Sequence, residues 1–211
     1  MKPNNYQQTD IPEKRKRLFL WGLSNGIGAL SIAALFWFGL GLGPYADKVR
    51  WYVDAIVMLL VYGVCGALLW GAFLLRRRSG FQRVDLKSST PEEQSVNRKT
   101  IVGFASVVLF QSVLVGSTVV SCLQFNVQAL MWPLVALIVS LHFLPLGKLF
   151  AVRPYYYTGV IGSLVSLSSL SPFFDADRLM SLGIGMGVVM SGSAMYILWK
   201  ANMIFLKSVK S

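Results

Sequence analysis

The chain is short of charge. Only 14% of its 211 residues are Asp, Glu, Lys or Arg, where a soluble domain of this size carries about a quarter. Acid is scarcest, with nine Asp and Glu against twenty Lys and Arg. No two carboxylates share an apolar run, which excludes a paired acid and base inside the hydrophobic part of the protein. There is one histidine, His142, and two cysteines, Cys65 and Cys122. That is too few ligands for a zinc or haem site. Both cysteines lie within apolar runs and outside any CxxC spacing, so they read as structural thiols. A P-loop and a dinucleotide fingerprint are both missing. Ser191-Gly192-Ser193 has the look of a nucleophile turn, but the only histidine lies two apolar runs earlier with no acid at its depth. The sequence therefore points to no catalytic residue, no metal, no cofactor and no enzyme.

What fills the chain is apolar surface. Hydrophobic residues make up 55% of it and the mean hydropathy is +0.57. Several runs reach the roughly 20 residues that a helix needs to cross a bilayer. Six spans are expected, at about 18–42, 52–75, 101–123, 129–150, 155–170 and 179–199. The first run is longer than the 7–15 apolar residues of a signal peptide, so it reads as an uncleaved helix. The expected fold is all-α, a polytopic bundle of six transmembrane helices. A basic segment, 1–17, precedes a membrane domain, 18–200, with a polar loop at 76–100, and a basic tail, 201–211, follows it.

The net charge of +11 is not spread evenly. Seventeen of the twenty Lys and Arg fall in the N-terminal segment, the 76–100 loop, the turn between spans 4 and 5, and the tail. The remaining three, Lys48, Arg50 and Arg178, fall on the other side. This asymmetry is the positive-inside pattern and places both termini in the cytoplasm. It also accounts for the basic balance without nucleic acid, which is not an expected partner. The bilayer itself is.

Within the polar loop, Thr90-Pro91-Glu92-Glu93 reads as the start of a short surface helix, with Thr90 as N-cap and Pro91 first in the helix. Small residues recur four apart in the spans, as in Gly22 with Gly26, Gly159 with Ser163, and Gly183 with Gly187. Such spacing lets helix backbones approach in lipid, either within one bundle or across a homo-oligomer or membrane-partner interface. Matching Gly, Pro and charge positions that would mark an inverted duplication are not found between the two halves.

The richest chemistry lies in 140–159, SLHFLPLGKLFAVRPYYYTG. Polar groups inside a span must pair or line water. Asn25, His142 and Thr158 fall at similar depth in the inner leaflet, so they are expected to form one hydrogen-bonded cluster with a hydroxyl from Tyr155, Tyr156 or Tyr157. Lys148 and Arg153 flank the same turn, where they would hold an anionic group or anchor the helices at the interface. Gln111 stands alone near the middle of span 3. The pattern His142-Phe143-Leu144-Pro145-Leu146, Phe150, Pro154-Tyr155-Tyr156 and Gly159 resembles a signature of small bacterial integral membrane proteins with six spans and no assigned activity. The resemblance covers about 20 residues and implies a bacterial inner-membrane location and no catalytic role. Taken together, these residues suggest that a small solute is moved or sensed through a cavity open to the cytoplasm near His142. The alternative is a structural or partner-binding membrane subunit.

Overall fold

The computed structural model describes residues 10–43, 51–79, 91–150, 152–171 and 177–209. The loop at 44–50, the expected N-cap Thr90 with most of the 76–100 loop, the segment 172–176 and both extreme termini lie outside them. Every regular element among the described residues is an α-helix. They are α1 (Asp10–Leu42), α2 (Trp51–Ser79), α3 (Pro91–Gln124), α4 (Gln128–Leu141), α5 (Phe143–Phe150), α6 (Arg153–Ser168) and α7 (Arg178–Val209). Five stretches are long and apolar enough to cross a membrane: Leu20–Leu42, Ala55–Arg78, Arg98–Gln124, Gln128–Phe150 and Arg178–Met203. The expected fifth span is α6. Its 16 residues rise about 24 Å, short of the roughly 30 Å of a hydrocarbon core.

Three boundaries differ from the sequence expectation, each for a local reason. Pro91 does begin a helix, but that helix runs unbroken into the third span instead of forming a separate surface element. The expected span at 129–150 is divided at His142 into α4 and α5. Pro145 lacks the N–H that would bond the Leu141 carbonyl, and its ring crowds that carbonyl, so the helix breaks there. The chain from residue 201 onward continues α7 as far as Val209.

The first and last helices form the centre. On α1, Leu20, Leu23, Ile27, Leu30, Ala34 and Trp37 are buried, three or four residues apart. On α7, Leu182, Met186, Met190, Ala194, Ile197 and Ala201 match them. The two helices run antiparallel and come closest at Gly41 and Gly183. A Cβ added at Gly183 would lie 2.5 Å from the Gly41 Cα and 2.6 Å from the Trp37 carbonyl oxygen. One turn further along α7, Gly187 receives the ring of Phe38. The glycines let the backbones touch, and the gain is dispersion contact that lipid alone would not drive.

The other helices pack around this pair. α2 buries one narrow stripe, Cys65, Leu68, Ala72 and Leu75, and α1 and α7 are its neighbours. α6 lies between α4 and α7, with Gly162 against the Ser140 hydroxyl and Gly185 of α7 against Val165. α3 sits at the edge on α4 and α5, and Cys122 is its one buried residue among the described side chains. At the other end of this edge, a tight turn joins α3 to α4, with Asn126 at φ 56°, a left-handed position that asparagine tolerates. Near it, Pro133 leaves the Ala129 carbonyl without a helical donor, and Arg178 Nη1 donates to that oxygen at 3.4 Å. The charge at the start of α7 is thereby tied to the start of α4.

The Gly41–Gly183 crossing leaves no room for a methyl group. Gly183→Ala should lower stability by about 1–3 kcal/mol, as overpacking does. Gly192→Ala, at a site with open space around it, should match the parent or exceed it slightly, because alanine is the better helix former. Thermal unfolding in detergent, followed by the monodisperse fraction, checks both.

Candidate functional site

The expected cluster is only partly assembled. Thr158 is fully buried, but it faces α7. Its hydroxyl donates to Ser193 Oγ at 2.7 Å and lies 3.0 Å from the Pro154 carbonyl. A second polar seam lies beside it: Ser140 and Ser166 both direct their hydroxyls at the Met186 sulfur, at 3.7 and 3.9 Å. These groups are satisfied within the bundle and serve to join α4, α6 and α7. Tyr156 packs over Gly147 of α5 but remains exposed, as is Tyr157. Lys148 and Arg153 are exposed. Each lies two residues from an inward group, Leu146 and Tyr155, and so about 160° round its helix from it.

His142 occupies the break between α4 and α5 and is half-buried. Its Nδ1–H donates to the Val139 carbonyl oxygen, and its ring stacks near Phe143 with centroids 4.2 Å apart. A carbonyl partner requires the proton on Nδ1, so in the neutral ring Nε2 carries the lone pair. Among the described residues, Nε2 has no partner. Phe143 in turn touches Tyr155, with centroids 5.8 Å apart. Tyr155 is buried, and its hydroxyl rests on α1 at Gly26, where no Cβ intervenes. Gly26 thus brings a phenol against α1 beside Asn25. The Asn25 side chain is exposed, turned away from the bundle interior and not hydrogen-bonded to His142.

Gln111 joins this group. The turn at 125–127, closed by Val127 N–H to the Cys122 carbonyl at 3.0 Å, makes α3 antiparallel to α4 and α5. At the other end Gly103 meets Leu149, and the Phe104 and Phe150 rings lie 5.9 Å apart. Interpolation between these contacts puts Gln111 within about one turn of His142. Gln111 is half-buried, on the same stripe as Val107, Val115 and Val119. Those three valines pack on the core. Among the described residues, its amide makes no hydrogen bond. The sequence marked Gln111 only as an isolated polar residue; the missing information was the register that the short turn imposes.

Next to this cluster, toward the α3–α4 turn, lies a groove of about 600 Å³. Ala29, Ile32, Ala33, Phe36 and Trp37 of α1 form one wall, and Val135 and Val139 of α4 the other. Phe36 and Trp132 approach across its far end, with ring centroids 6.2 Å apart. Asn25 continues the α1 wall one turn beyond Ala29, and His142 continues the α4 wall one turn beyond Val139. The arrangement is an apolar trough with an uncharged polar end contributed by α1, α3, α4 and α6. Among the described residues, no group of three His, Cys, Asp or Glu side chains is arranged to hold a metal ion. Comparisons with protein families, with characterised proteins and with solved structures return no match. The chemistry of the site therefore rests on these residues alone.

Thr158 and the site residues should separate on mutation. Thr158→Val leaves Ser193 without its partner in a buried seam and should cost about 1 kcal/mol. Tyr157→Phe, at an exposed ring, should cost nothing measurable. Chemical or thermal unfolding of the detergent-solubilised protein distinguishes the two.

Proposed function

We propose that this is a non-enzymatic protein of the bacterial inner membrane that binds a small solute within the bilayer and thereby senses or moves it. The observation that carries the reading is the set Asn25, Gln111 and His142. Three polar side chains from three helices meet at one depth and leave their hydrogen-bonding capacity unused among the described residues. Unpaired amides in hydrocarbon are costly, so a site of this kind is best suited to a group that arrives from outside the chain. The expected route through a cavity open to the cytoplasm is replaced in this reading by lateral access, because the space beside the cluster is the apolar α1–α4 groove.

The proposal includes six crossings with cytoplasmic termini. Antiparallel packing of α6 against α4 and α7 supports a sixth, shortened crossing. The distribution of Lys and Arg supports the orientation. A membrane-impermeant maleimide, applied to intact cells carrying otherwise cysteine-free variants, should label Asp47→Cys and leave Ser88→Cys unlabelled until the cells are opened. The reverse pattern would invert the assignment.

A second reading has one observation of its own. Gly63 and Gly66 of α2 are exposed and would carry a Cβ without touching anything within 4 Å. That face suits another helix of a homo-oligomer or of a membrane partner. A detergent-corrected mass above one chain that falls to one chain in Gly66→Leu would support it.

The solute-binding reading is tested on a triple variant, Asn25→Ala, Gln111→Leu and His142→Ala. If the three groups await a solute, removing them relieves unpaired polarity, and unfolding in detergent should be unchanged or strengthened by up to about 2 kcal/mol. A small molecule retained by the parent in native mass spectrometry should be lost from the variant. Destabilisation by more than about 1 kcal/mol would identify the three residues as structural glue and overturn the reading.

A further inference from the structure

We infer that the solute is a single-chain amphiphile, held with its apolar chain in the α1–α4 groove and an uncharged hydroxyl- or amide-bearing head against Asn25, Gln111 and His142. This rests on the intramembrane solute site proposed above and assigns its ligand class. Three observations converge on it.

The first is continuity. The walls of the groove and the polar residues belong to the same helical stripes, Asn25 with Ala29 and Ile32, and His142 with Val139 and Val135. Positions three, four and seven apart share one helix face, so a ligand lying along the groove reaches the polar end without turning a corner.

The second is calibre. From Ala29 to Trp37 the groove runs about 12 Å along α1. A volume of about 600 Å³ over that length gives a cross-section of about 50 Å². A helix 10–12 Å across with its side chains needs about 80–110 Å². The trough is therefore too narrow for another transmembrane helix and is suited to an alkyl or prenyl chain.

The third is charge complementarity, here the complementarity of a neutral site. Asn25, Gln111 and Tyr155 are uncharged, and His142 offers a lone pair at Nε2. Between Leu20 and Leu42 on α1, and from Ile101 to Gln124 on α3, there is no ionisable side chain apart from Cys122. The nearest cations toward the cytoplasmic end, Lys148 and Arg153, are exposed on the far sides of their helices. A carboxylate or phosphate head would lie in hydrocarbon without a counter-charge, at a cost that a hydroxyl or amide avoids. An O–H donor suits Nε2, and the two amides each offer a donor and an acceptor.

The test uses the full-length protein in nanodiscs and a monoacylglycerol with a diazirine in its chain. Two companion probes carry the same chain, one with a carboxylate head and one with no polar head. Photolabelling by the monoacylglycerol should map to peptides containing Ala29–Trp37 and Val135–Val139 and be competed by unlabelled monoacylglycerol. It should fall at least tenfold in Ala33→Trp, and also in Ala29→Leu, which fills the groove with less risk to folding. It should fall at least fivefold in the triple variant of Asn25, Gln111 and His142, whereas the headless probe should be unaffected by that variant. The carboxylate probe should label at least tenfold less than the monoacylglycerol. Equal labelling by all three probes, or labelling indifferent to the triple variant, overturns the assignment of an uncharged head. Label outside the groove overturns the amphiphile altogether. If the triple variant still abolishes retention of a short, chainless molecule, the intramembrane solute site stands while this ligand class falls.

Discussion

A polar group inside a bilayer has no water to turn to, and most of this chain is arranged around that constraint. The hydroxyls of Ser31, Ser163, Ser166 and Ser191 each donate to a carbonyl of their own helix, at 2.7–2.8 Å. Thr158 finds Ser193, and the Met186 sulfur receives two serines. The carbonyl that Pro133 orphans is met by Arg178. Against so thorough a pairing, unused capacity in Asn25, Gln111 and His142 acquires meaning. Asn25 faces the bilayer, and Gln111 and His142 are only half covered, so a visiting group can reach all three.

The same constraint explains why the interior is built from glycine, serine and methionine as much as from leucine. Lipid tails are as apolar as any side chain, so burying leucine inside the bundle gains little over leaving it in lipid. Close backbone approach gains dispersion contact instead. Gly41 against Gly183, Gly187 against Phe38 and Gly26 against Tyr155 are three uses of a missing Cβ. The first joins backbone to backbone, the second admits a ring, and the third admits a polar atom. Only the third carries chemistry, because it brings a hydroxyl beside the cluster.

What was legible in the sequence was depth. Run lengths placed five of the six expected spans on long helices, and Pro91 marked the start of α3 correctly. Depth also grouped Asn25, His142 and Thr158. Direction round the helix was not legible. Thr158 points across α6 to α7, while Asn25 points outward along α1, and neither direction follows from hydropathy. The central crossing escaped because its glycines are not four apart on one helix. They lie on α1 and α7, at opposite ends of the chain. The division of α4 from α5 was readable from Pro145 but was expected only as a feature near a helix end. Gln111 was visible as a residue and invisible as a neighbour, because its level relative to His142 depends on how tightly the chain turns at 125–127.

The pairing of α1 with α7 has a consequence for how the protein is made. The helix that α1 packs against most extensively is the last to leave the ribosome. At about 5–20 residues per second of synthesis, the first helix waits on the order of ten seconds for its partner. During that time its seam, with Ser31, Trp37 and Gly41, has only lipid, the insertion machinery or neighbouring chains to lean on. α2 can cover part of it, and α3 to α6 can associate as a separate group. The bundle thus closes from its two ends, and its assembly is completed after synthesis rather than during it.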